Sequence, residues 1–123
     1  MSETIRKTAA GSPLAVDFLF SDDCPSHERA LQLVREVIAQ EGVEARINIH
    51  QVETEADAER LAFPGSPTIR VAGSDIDEID NASFGLSCRA YRHENGRISP
   101  LPPRDKIQAA VRRMLADDSR LSA

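Results

Sequence analysis

Leu14-Ala15-Val16-Asp17-Phe18-Leu19-Phe20-Ser21-Asp22-Asp23-Cys24-Pro25-Ser26-His27 is the stretch from which the fold is read. Its first seven residues are dense in apolar, β-favouring side chains, with Leu14, Val16, Phe18 and Phe20 on one face. The run stops at Ser21-Asp22-Asp23, as a central strand does on entering a loop. Beyond Cys24-Pro25 the period changes. Leu31, Val34, Val37 and Ile38 recur at helical spacing and Gly42 stands where a C-terminal cap belongs, so a helix is expected over residues 25–40. Pro25 suits a first turn because the amide it lacks would have no intrahelical acceptor there. Cys24 is thereby expected at a helix N-terminus, where unpaired amides and the helix dipole favour a thiolate. Asp22 and Asp23 oppose that shift, so its sign stays open, and a small buried residue closing the strand end is the alternative.

Downstream, Ala45, Ile47 and Ile49 alternate with Arg46, Asn48 and His50, a second strand running to about residue 52. Thr54 opens a short polar helix toward Leu61. Phe63-Pro64-Gly65-Ser66-Pro67 breaks that helix and leads into a third strand, Thr68 to Ala72, which stops at Gly73. Residues 74–87 carry Asp75, Asp77, Glu78 and Asp80 with little periodicity; irregular segments of this length are usually functional or mobile. Cys88-Arg89-Ala90-Tyr91-Arg92 reads as another strand, turned at Glu94-Asn95-Gly96 and followed by Ile98. After Pro100, Pro102 and Pro103, a last helix carries Ile107, Ala110, Val111, Met114 and Leu115 as one stripe. Residues 1–13 are expected to form a flexible leader, 14–118 the domain and 119–123 a flexible tail.

Composition excludes several classes. At 123 residues the chain has the length of one ordinary domain, and 41% apolar with 28% charged residues is the balance of a globular protein. No run approaches the roughly 18 apolar residues of a membrane span. A formal charge of −5 supplies no pull toward phosphate backbones or anionic lipid, so neither nucleic acid nor a membrane is expected as a partner. Cys24 and Cys88 are too few for a disulfide framework, and no signal-peptide run precedes Pro13, which together point to the cytoplasm.

Strand, Cys24-Pro25-Ser26-His27 opening a helix, strand, helix, and Gly65-Ser66-Pro67-Thr68 opening an antiparallel strand resemble the thioredoxin fold over residues 14–115. The resemblance implies an α/β domain: a central mixed sheet, helices on both faces and a long insertion before the last strand. It implies that Pro67 is a cis-proline facing Cys24, and that Ser66 offers backbone hydrogen bonds to an extended substrate, with Pro25 and Thr68 beside it. His27 stands where dithiol thioredoxins carry a second cysteine, so no local disulfide forms and only Cys88 can resolve a mixed disulfide within the chain.

More narrowly, Asp23-Cys24-Pro25, Gly65-Ser66-Pro67-Thr68, Cys88-Arg89-Ala90-Tyr91 and Pro102-Pro103 are similar to a group of small bacterial thioredoxin-fold proteins often filed as alkylmercury lyase. The authentic lyase is larger. It holds mercury through two cysteine thiolates while an aspartate supplies the proton that cleaves the carbon–metal bond, and Cys24, Cys88 and Asp22 or Asp23 are of those types.

The expected function is thiol–disulfide oxidoreductase-like chemistry at Cys24, His27 and Cys88, acting on a small thiol, a protein thiol or a soft metal. Two alternatives stand beside it: organomercurial or mercury–thiolate handling, and a non-catalytic binding module on the same fold. Whether the chain is an enzyme and whether it works as a homodimer both stay open. No cofactor is expected, and no resident metal, because His27, His50 and His93 lack the paired ligands of a zinc site. Asp17 resembles the buried acid of thioredoxins but lies one residue further from the cysteine, which on a pleated strand reverses the face; solvent or a sheet edge is expected. The acidic run lacks the glycine and final glutamate of a calcium loop and reads as solvated. Arg89 either faces a substrate or belongs to a polar outer face with Arg92.

Overall fold

β2 (Leu14–Phe20) occupies the middle of the main sheet and buries apolar residues on both faces, Val16 and Phe18 on one and Leu19 on the other. In this computed structural model residues 2–5, 14–22, 27–77, 85–86 and 90–122 are described, with 2–5 and 116–122 as backbone only. β3 (Ala45–Gln51) runs parallel to β2 from Leu14 opposite Ala45 to Phe20 opposite Gln51. β4 (Thr68–Val71) lies antiparallel on its other side, Val16 opposite Val71. With β1 (Ser2–Ile5) and β5 (Ser74–Asp75) at the edges, the order is β1-β3-β2-β4-β5, a mixed sheet flanked by helices.

The helices divide between the two faces according to the parity of β2. Val16 and Phe18 point into a core shared with Ile47, Ile69 and Val71, which α1 (His27–Glu41) and α3 (Arg104–Ser122) cover. α1 contributes Ala30, Val34, Val37 and Ile38, all fully buried, each large side chain stabilising by about 1.5–3 kcal/mol. It ends at Gly42, whose φ of 69° is the left-handed conformation a glycine adopts without a Cβ clash, and whose amide reaches Ile38 O at 3.1 Å. Leu19 points the other way, into a smaller cluster with Val52, Ala58 and Phe63 under α2 (Glu55–Arg60). Thr54 caps α2, its hydroxyl accepting from the Asp57 amide at 3.0 Å.

Four expectations change. Residues 1–13 were expected to be a flexible leader, but Ser2–Ile5 forms β1, antiparallel to β3 with Ser2 opposite Asn48. Its four residues are too few to show a period, and the pairing comes from the free backbone edge of β3. Within the irregular stretch Ser74–Asp75 forms β5, joined to β4 by Ala72 and Gly73 at φ 51° and 86°, the paired positive dihedrals of a two-residue hairpin turn. The strand expected over residues 88–92 is described only as β6 (Tyr91–Arg92), which pairs with β7 (Ile98–Ser99) in a separate ribbon. Among the described residues the main sheet therefore ends, in chain order, at β5, ahead of the stretch expected as an insertion before the last strand. The expected turn at Glu94-Asn95-Gly96 joins β6 to β7, with the His93 amide on Arg97 O at 2.8 Å. Among the described residues no helix is long and apolar enough to cross a membrane.

α3 is fastened to α1 by polar contacts at the rim. Arg112 grips Glu41 with two bonds of 2.7 and 3.1 Å, and Arg104 donates to Gln40 Oε1 at 2.6 Å. The hydrogen bond from Arg112, helped by its charge, holds the Glu41 carboxyl below its ordinary 4.5 against the opposing effect of burial. A lowered folded-state pKa contributes stability that is complete above the unfolded value and lost as pH falls through the folded one. Glu41→Gln is therefore expected to destabilise modestly at pH 7 and progressively less below pH 4.5, read as the difference in urea midpoint from the parent. A difference unchanged between pH 7 and pH 3 would refute this.

Candidate functional site

The Ser66–Pro67 peptide bond is cis, at the point where the chain leaves the α2 layer and turns into β4. Gly65 through Thr68 are all buried, so the polar groups of this corner need partners inside the protein. The Ser21 amide, first residue past β2, donates to Ser66 Oγ at 2.9 Å. Thr68 Oγ1 donates to Gly65 O at 2.6 Å, which closes the turn on itself. Tyr91, fully buried, reaches across from β6 and donates its hydroxyl to Pro67 O at 2.7 Å. Two separate segments, the end of β2 and β6, thus converge on Ser66 and Pro67.

His27 opens the described part of α1 and lies flat on Phe20, ring centroids 4.5 Å apart and planes 17° from parallel. Phe20 is in turn 6.1 Å from the buried Phe18. The stack holds the imidazole at the C-terminal end of β2. Beside it Gln51 Nε2 donates to Asp22 Oδ2 at 2.7 Å, tying the first residues after β2 to the end of β3.

The expected site residues fall into two groups. His27, Ser66, Pro67 and Thr68 are brought to one end of the sheet. Cys24, Pro25 and Cys88 lie outside the described residues, as do Asp23, Ser26 and Arg89. Asp17 points away from the core, as strand parity requires, yet sits half-buried on the central strand rather than at an edge, with Asn48 Nδ2 3.2 Å from Oδ1. His93 meets Leu101 O at 2.8 Å, and Asp77 pairs with Lys106 at 3.4 Å.

Ser21, Phe20 and Tyr91 join the site without having been singled out for it. Tyr91 is the one aromatic of the stretch Cys88-Arg89-Ala90-Tyr91-Arg92, set among arginines, and the closure of the ribbon over Pro67 shows that it is core. Tyr91→Phe leaves the Pro67 carbonyl without this donor and is expected to cost about 1–3 kcal/mol, measured by urea unfolding. A loss below about 0.5 kcal/mol would mean that another donor serves the carbonyl.

No protein-family model matches this chain, and no curated protein and no solved structure matches it at a significant level.

Proposed function

We propose that this chain is a thiol-reactive protein of the thioredoxin fold that exchanges disulfides through Cys24. One hydrogen bond carries the proposal: the Ser21 amide on Ser66 Oγ at 2.9 Å joins the end of β2 to the cis-proline corner. Cys24 follows Ser21 by three residues and precedes His27 by three, and three residues of chain reach at most about 11 Å. In sequence the cysteine thus falls between two described residues, Ser21 and His27, that border this corner. Cys88 likewise falls in sequence between described residues. It precedes Tyr91, hydrogen-bonded to Pro67, by three residues and follows Leu86, packed near Phe63, by two.

The order β2-α1-β3-α2-β4, with β3 parallel and β4 antiparallel to β2 and β4 opened by a cis-proline, agrees with what the thioredoxin resemblance implies. In the proposed reaction the Cys24 thiolate attacks one sulfur of a substrate disulfide. That bond breaks, a mixed disulfide forms, and the departing thiolate takes a proton, with His27 the nearest histidine in sequence to Cys24. The Cys88 thiolate then attacks the Cys24 sulfur and releases the second substrate thiol. Two electrons pass to the substrate, leaving a Cys24–Cys88 disulfide to be reduced by an external thiol.

The test is alkylation of the native protein as a function of pH, with mass spectrometry locating the label and any disulfide after mild oxidation. Cys24 is expected to react with an apparent pKa below the about 8.5 of a free cysteine and to be found bonded to Cys88 after oxidation. Labelling of both cysteines only on unfolding would overturn the proposal and favour a binding module.

A further inference from the structure

Arg70 and Asp17 are directly opposed across the β2–β4 ladder, a position where opposite charges ordinarily pair. They do not. Arg70 instead donates from Nη2 to Leu61 O at 2.8 Å and to Ala62 O at 2.9 Å, at the end of α2 where unpaired carbonyls attract a cation. Those two bonds use both protons of one amino group. Nη1 and Nε hold the other three N–H donors of the guanidinium, with no partner among the described residues. Asp17 Oδ1 lies 3.2 Å from Asn48 Nδ2 and 3.4 Å from His50 Nε2, while Oδ2 has no partner among the described residues.

Both residues line one cavity of about 270 Å³, together with Leu19, His50 and Leu61. It opens on the sheet face opposite the α1–α3 core, and the Asp17 and His50 side chains are 32% and 48% exposed, so a solute can reach it from water. A simple anion drawn to Arg70 would meet the Asp17 carboxylate, and a simple cation drawn to Asp17 would meet the guanidinium. A molecule carrying both charges satisfies both walls, its carboxylate accepting from the free Nη1 donors of Arg70 and its ammonium donating to Asp17 Oδ2. Leu19 and Leu61 leave an apolar surface for the remainder. The volume is below the roughly 300–1,000 Å³ of drug-sized sites, which suits a ligand of about ten non-hydrogen atoms.

The geometry points to a binding site for a small free α-amino acid with an apolar side chain, held as its zwitterion between Arg70 and Asp17. The site is independent of the thiol chemistry proposed for Cys24. Leucine, leucinamide and N-acetylleucine titrated into the full chain at pH 7, followed by backbone amide NMR, test it directly. Leucine is expected to give saturable shifts centred on Asp17, Leu19, Leu61 and Arg70, with half-saturation below about 10 mM. Leucinamide, lacking the carboxylate, and N-acetylleucine, lacking the ammonium, are each expected to bind at least about tenfold more weakly, as are D17N and R70K with leucine itself. Absence of saturable shifts with leucine overturns the inference on the unaltered protein, whatever the variants do. Equal binding of either blocked derivative overturns the zwitterion and leaves only an apolar contact.

Discussion

Replacing Phe18 by alanine is expected to lower folding stability by about 3–5 kcal/mol, a large part of the 5–15 kcal/mol of an ordinary domain. The side chain is completely buried, among the largest in the core, and sits on the central strand between β3 and β4 where Ile49 and Ile69 are its register partners. Backbone on both sides is locked in ladders, so the cavity can collapse only a little. Thermal unfolding is expected to fall by about 10–25 °C, with urea unfolding giving the free energy. A loss under about 1 kcal/mol would mean that α1 or α3 moves in to fill the space. Because Phe18 supports Phe20, and Phe20 carries the His27 ring, the same change is expected to loosen the imidazole as well.

The second large effect is chemical. Cys24→Ser is expected to bring disulfide exchange down to the uncatalysed background, since a serine hydroxyl is neither ionised at neutral pH nor an effective attacker of sulfur. Cys88→Ser is expected to act differently: the first attack still occurs, and the mixed disulfide with Cys24 accumulates because no thiol within the chain remains to resolve it. Exchange rates with a small aromatic disulfide, together with intact-protein mass spectrometry, separate the two variants. Unchanged exchange in Cys24→Ser would remove the thiol mechanism altogether. Release of product from Cys88→Ser at the parent rate would leave Cys24 acting alone with an external thiol.

The strands and helices with strong periods were legible because period is a local property. Leu14–Phe20 and Ala45–Gln51 alternate, α1 and α3 show their apolar stripes, and Gly42 and Thr54 carry end signals in their own chemistry. The parity of β2 was equally readable, which is why Asp17 faces away from Val16 and Phe18. That Asp17 is half-buried beside Asn48 was not readable, since it depends on which strands flank β2. The candidate site was legible as residue types, in His27, Ser66, Pro67 and Thr68, but not as an assembly. Nothing near Ser21 or Tyr91 in the chain announces that one holds Ser66 and the other Pro67.

By itself, then, the sequence determined the alternation of strands and helices, the apolar faces, the turn at Glu94-Asn95-Gly96 and the proline corner before β4. Tertiary structure alone decided the pairing of Ser2–Ile5 with β3, the small β5 strand, the separation of β6 and β7 from the main sheet, and the convergence of Ser21 and Tyr91 on Ser66 and Pro67. The physical reason is that side-chain hydrophobicity repeats along the chain, whereas a backbone amide or carbonyl has the same chemistry at almost every position. Its partner is chosen only when the core has closed and the groups left unpaired must find one another.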